Sequence, residues 1–115
     1  MHVAVIGSRG LSVNDLTPYL PADTTKIISG GAKGIDACAK AYAQGHGISY
    51  EEYLPDYKRF GRYAPLKRNQ LIIAHAELVI AFWDGASPGT KYTIDQCRYN
   101  RVPVQVHLLP DRQLD

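Results

Sequence analysis

Ser29-Gly30-Gly31-Ala32-Lys33-Gly34-Ile35-Asp36 is the stretch whose reading decides the fold. The run Lys26-Ile27-Ile28 leads into it, and a helix-period stripe of Ile35, Cys38, Ala39, Tyr42 and Ala43 leads out. Three glycines therefore stand where a buried strand turns into a helix. Glycine accepts positive φ and lets a ligand approach the main chain. The N–H groups of a helix's first turn lack intrahelical partners and, with the helix dipole, favour an anion. The stretch reads either as a phosphate cradle or as a tight strand-to-helix turn that only needs glycine.

The same alternation extends in both directions. Val3-Ala4-Val5-Ile6 is a continuous apolar run ending in Gly7-Ser8-Arg9-Gly10, as expected of a strand covered on both faces. Residues 12–20 are expected to form a short helix, limited by Pro18 and Pro21. Strand two covers 25–29 and a strong helix covers 34–44, stopped by Gly45 or Gly47. Residues 48–54 read as a more exposed edge strand, and 56–63 as a loop. Pro65 opens a helix with Asn69, Ile72, Ile73 and Ala76 on one face. Strand four covers 77–82, Trp83-Asp84-Gly85-Ala86 is a turn, and Ser87-Pro88 caps and opens a helix that runs to about Asn100. Residues 101–106 form strand five, with Pro103 placing it at an edge. The expected architecture is α/β: a doubly wound, mainly parallel five-stranded sheet in order 3-2-1-4-5 with helices on both faces. One domain spans 1–109, and 110–115 is a short tail.

The totals agree. A chain of 115 residues suits a single domain, and 45% apolar with 21% charged residues is ordinary globular composition. A formal charge of +2 is too small to demand nucleic acid. No apolar run approaches the roughly 20 residues of a membrane span. The N-terminus lacks the form of a signal peptide. Cys38 and Cys97 are isolated and give no disulfide framework, so a reducing, cytoplasmic setting is expected.

In a doubly wound sheet the C-terminal strand ends share one edge, and ligands bind where the winding reverses, between strands one and four. Three glycine-bearing turns are expected there: Gly7-Ser8-Arg9, Ser29 to Asp36, and Trp83 to Thr90. No G-x-G-x-x-G follows strand one, and strand two ends in Ser29 where a dinucleotide site needs an acid. A G-x-x-x-x-G-K-[ST] loop is absent as well. In Ser87-Pro88-Gly89-Thr90, the Gly89 and Thr90 amides and the Thr90 hydroxyl suit phosphate oxygens, or the segment is an ordinary Ser-Pro cap. Trp83 is a base-stacking candidate or a core residue. Gly85 lies in the same turn. Arg9, Lys33 and Arg68 offer positive charge, and Asn69, polar on an apolar face, requires a partner. Asp36 and Asp84 are the carboxylates expected near the crevice, either as general bases or ribose holders, or as an ordinary first-turn acid and an ordinary turn residue. His2, His46, His75 and His107 lack metal-ligand spacing, and neither metal nor cofactor is expected. Lys58, Arg59, Arg62, Lys67 and Arg68, interleaved with Tyr57, Phe60 and Tyr63, suit either a solvated loop or single-stranded nucleic acid.

Gly-Ser-Arg after strand one, Ser-Gly-Gly-Ala-Lys-Gly-Ile-Asp, Arg68-Asn69 and Trp-Asp-Gly-Ala-Ser-Pro-Gly-Thr, in this order, resemble the Smf/DprA-LOG (SLOG) superfamily and its small YspA-like stand-alone members. The resemblance spans about residues 2 to 106. It implies a Rossmann-like fold, a nucleotide or nucleotide-derived ligand, and a homodimer. The LOG branch hydrolyses the N-glycosidic bond of nucleoside monophosphates with an Arg and a Glu. Arg68 falls at the Arg position, whereas the Glu position holds Thr93. Three expectations follow: a binding or sensing module for a nucleotide-like molecule, a hydrolase in which Asp36 or Asp84 replaces the Glu, and a DprA-like binder of single-stranded nucleic acid.

Overall fold

Alternation along the first strand sets the layers. The computed structural model describes residues 1–109; the expected tail, 110–115, lies outside the described residues. In strand β1, His2–Gly7, Val3 and Val5 point to one side of the sheet and Ala4 and Ile6 to the other. All four are buried, as a central parallel strand requires. The chain continues through β2 (Lys26–Ser29), α1 (Ile35–Gly45), β3 (Ser49–Glu52), α2 (Tyr57–Phe60) and a 3₁₀ turn, Gly61–Tyr63. It ends with α3 (Ala64–His75), β4 (Leu78–Trp83), α4 (Pro88–Tyr99) and β5 (Val104–Leu108). The five strands form one all-parallel sheet, in order β3-β2-β1-β4-β5. Register runs from Val3 opposite Ile27 and Leu78 to Gly7 opposite Phe82.

One face of the sheet packs on α1 through Ile35, Ala39 and Ala43, together with Leu11 and Leu16. The other packs on α3 and α4 through Ile72, Ile73, Ile94 and Cys97. This is the doubly wound α/β arrangement expected from the sequence. Gly7 shows how tightly α1 docks. A methyl there would lie 2.5 Å from Ile35 Cγ1 and 2.7 Å from the Phe82 carbonyl oxygen.

Four local expectations differ from the structure. Residues 12–20 form bends and turns, not a helix. Pro18 and Pro21 bring no amide donor, and Asp15 Oδ1 accepts from the Thr17 amide, holding the backbone in a local turn. Within 56–63, expected as loop, residues 57–63 form α2 and the 3₁₀ turn, because Asp56 caps the segment by accepting from the Arg59 amide. Strand β3 is shorter than 48–54. Strand β5 begins at Val104, after Pro103, and keeps its expected edge position. No helix among the described residues is long and apolar enough to cross a membrane.

Candidate functional site

At the C-terminal ends of β1 and β4 the sheet opens into a cavity of about 330 Å³. It is walled by Ile6 to Gly10 at the end of β1 and after it, Ala32 and Asp36 before and within α1, Pro65, Leu66, Arg68, Asn69 and Ile72 of α3, and Ser87, Gly89, Thr90 and Thr93 around the start of α4. This is the crevice at the reversal of strand order that the topology singles out. Of the residues marked from the sequence, Gly7, Ser8, Arg9, Asp36, Arg68, Asn69, Ser87, Gly89 and Thr90 line it.

Arg68 is the cavity's central cation. It occupies the buried stripe of α3 with Ala64 and Ile72, four residues away on either side, and is 8% exposed. Its Nη1 donates to the Gly30 carbonyl and, at 3.4 Å, to that of Tyr53. Its Nε is buried and makes no hydrogen bond among the described residues. Burial holds the guanidinium pKa below its ordinary value, with Asp36 and Tyr57 opposing the shift and Arg9 adding to it. An arginine left in that state favours an incoming anion. Arg9, exposed and also lining the cavity, is a second positive charge.

Helix α4 begins beside this pair without a side-chain cap. The hydroxyl of Ser87, its N-cap residue, instead donates to Asp84 Oδ2 at 2.6 Å. The first-turn amides of α4 are thus free of the usual cap. Gly89 lies in this turn, and a methyl there would meet nothing within 4 Å. Thr90 and Ser8 are buried side by side, their hydroxyl oxygens 3.3 Å apart. Asn69 is half-buried on the same wall. Thr93 is 1% exposed and its hydroxyl donates to the Gly89 carbonyl, within the helix.

Asp36 is the cavity's carboxylate. Burial pushes its pKa above the ordinary range, while the Ala32 amide, Ser29, Arg68 and the Gly30 amide pull it back. Its Oδ2 accepts from the Ala32 amide at 3.1 Å.

The rest of the opening stretch has other work. Ser29, Gly30, Gly31, Lys33 and Gly34 do not line the cavity. Ser29 is fully buried and donates to the Val5 carbonyl at 2.8 Å. Gly30 lies under the Arg68 guanidinium and beside Asp36, where a side chain would displace both. Gly34, at φ 77°, packs against the Arg9 backbone and joins the first turn to the second. Gly31 packs against Glu52 and Leu54, and Lys33 is exposed. With the Ala32 amide taken by Asp36, this turn shapes the cavity from behind. In the turn after β4 the structure takes the plainer of the two readings for Trp83 and Asp84. Trp83 donates from Nε1 to the Ser87 carbonyl and stays out of the cavity wall. Asp84 accepts from the Ala86 and Ser87 amides and the Ser87 hydroxyl, which bring its pKa down to about 2. It is held in its own turn and does not line the cavity, as the ordinary turn residue among the two readings of its sequence would be. Gly85, at φ 85°, completes that turn.

Sequence reasoning missed the aliphatic walls, Ile6, Pro65, Leu66 and Ile72, and the contributions of Gly10 and Ala32. Their signal was present but ambiguous, since apolar residues at strand and helix ends read equally as core. Among the described residues, no cluster of His, Cys, Asp or Glu suited to a metal occurs. No protein-family model, curated protein or solved structure matches the chain.

Proposed function

We propose that this protein binds a nucleotide or nucleotide-derived ligand at the β1–β4 crevice, as a binding or sensing module of the SLOG type. One observation carries the reading. The buried guanidinium of Arg68, with Nε unpartnered, lines the same cavity as the uncapped first turn of α4. The ligand's phosphate lies against the Gly89 and Thr90 amides and the Thr90 hydroxyl, with Arg68 and Arg9 supplying charge. The order of the motifs along the chain and the strand order 3-2-1-4-5 support the family reading.

Glycosidic hydrolysis is the second reading, and Asp36 favours it as the carboxylate in the cavity wall. Thr93, with its hydroxyl held by Gly89, offers no substitute for a glutamate. Calorimetric titration with nucleoside mono-, di- and cyclic phosphates tests binding, and chromatography of the incubated mixtures tests turnover. Arg68→Lys keeps a charge but loses the fork, and is expected to weaken the best ligand about tenfold or more. Saturable binding to the wild type without released base supports the module. Base release that disappears in Asp36→Asn supports the hydrolase. Absence of binding by every nucleotide at millimolar concentration overturns both.

A further inference from the structure

Resting on that reading, we infer that the cavity recognises the ribose phosphate part of its ligand and leaves the base unread. Three observations support this. First, no phenylalanine, tyrosine or tryptophan is among the lining residues. Trp83, at the end of β4, is tied to the Ser87 carbonyl and does not offer a face to the cavity. Base recognition in proteins relies heavily on aromatic stacking, and this wall offers aliphatic side chains instead. Second, the cavity volume, about 330 Å³, lies at the small end of the ~300–1,000 Å³ range of small-molecule sites. A sugar phosphate fits such a space.

Third, opposite chemistries meet across a short distance. Gly30 separates the Arg68 guanidinium from the Asp36 carboxylate, and both line the cavity. The two are not within ion-pair distance of each other among the described residues. The cation and the α4 first turn are suited to the phosphate. The carboxylate, 7% exposed, holds the Ala32 amide through Oδ2 and is drawn on by the Gly30 amide and Ser29 as well, and with about four lone-pair sites it retains room for one donor from the ligand. A ribose hydroxyl is such a donor and sits a few bonds from its phosphate. Asp36 is therefore the residue that distinguishes ribose from deoxyribose, and Asn69 adds a neutral polar group on the facing wall.

The test is a titration panel on the wild-type protein: ribose 5-phosphate, 2-deoxyribose 5-phosphate, the four common ribonucleoside monophosphates, their deoxy forms and inorganic phosphate. Ribose 5-phosphate and the four ribonucleotides are expected to bind within about tenfold of one another, with the deoxy forms about tenfold or more weaker. Asp36→Asn is expected to bring the ribose-to-deoxyribose affinity ratio toward one, a ratio that cancels any effect of the lost charge on the phosphate held by Arg68. If that variant fails to fold, the wild-type ratio alone decides. Nucleotide binding with no binding of ribose 5-phosphate, one base preferred a hundredfold, or equal affinity for deoxy forms would each overturn this inference and leave the nucleotide-binding reading standing. Failure of the whole panel, inorganic phosphate included, would remove both.

Discussion

Two glycines show how one residue type serves opposite ends. Gly7 is required by packing, because its Cα faces Ile35 and the Phe82 carbonyl at distances no side chain tolerates. Gly7→Ala is expected to lower stability by about 1–3 kcal/mol, read from urea denaturation. At Gly89, in the first turn of α4, a methyl would meet nothing within 4 Å. Gly89→Ala is expected to hold or raise stability, by up to about 1 kcal/mol, while weakening the best nucleotide in the titration. Unchanged affinity in that variant would remove the α4 first turn from the site. From sequence one glycine closes a strand and the other opens a helix, but which of them is packed against a neighbour was not legible. Arg68 was similarly half-legible. Its charge was visible beside Asn69, but its burial was not, because an arginine four residues from Ala64 and Ile72 reads by composition as a solvated break in the stripe. Only the placement of Gly30 and Tyr53 carbonyls above it explains why it is tolerated inside.

At the scale of elements, the strands were legible because continuous apolar runs have few other uses, and α1 because its stripe is regular. The segment between β1 and β2 was not. It replaces the usual crossover helix with turns, yet Leu16 within it is 1% exposed and packs in the α1-side core. Leu16→Ala is expected to lower stability by about 2–5 kcal/mol, as for a core leucine and unlike a loop residue. A loss below about 0.5 kcal/mol would show that the segment is loosely attached. The turn after β4 makes a different prediction. Asp84 is held at a pKa of about 2 by donors of its own turn, below its unfolded value near 3.9. Between those values the unfolded chain binds more protons, so stability rises with pH there. The contribution is complete above about pH 4 and lost as pH falls through about 2. The melting temperatures of wild type and Asp84→Asn are therefore expected to converge on acidification over that window. A gap that stays constant with pH would mean the carboxylate's charge has no part in holding the turn.

At the scale of the molecule, the site belongs to no single element. Its walls come from the turn after β1, from Ala32 and Asp36 at the start of α1, from one face of α3 and from the start of α4, each following or facing the C-terminal edge of the sheet. The winding puts α1 on one face and α3 with α4 on the other, so these segments meet only at the reversal between β1 and β4. A ligand seated there touches both layers at once, and its binding energy is shared with folding. At 100 times its dissociation constant it adds about 2.7 kcal/mol to stability. Hydrogen exchange separates this from surface binding. A nucleotide in the crevice is expected to slow exchange together in 8–10, 32–36 and 88–93, segments far apart in the chain. A strand of nucleic acid on the basic, aromatic face of α2 and the 3₁₀ turn, where Arg59 lies over Phe60 and Arg62 over Tyr63, would instead protect 57–67 alone. Its affinity would also fall steeply with salt, since phosphate contacts release counterions. Joint protection of the three separated segments with shallow salt dependence is the expected result. Protection confined to 57–67 would transfer the function from the crevice to that surface.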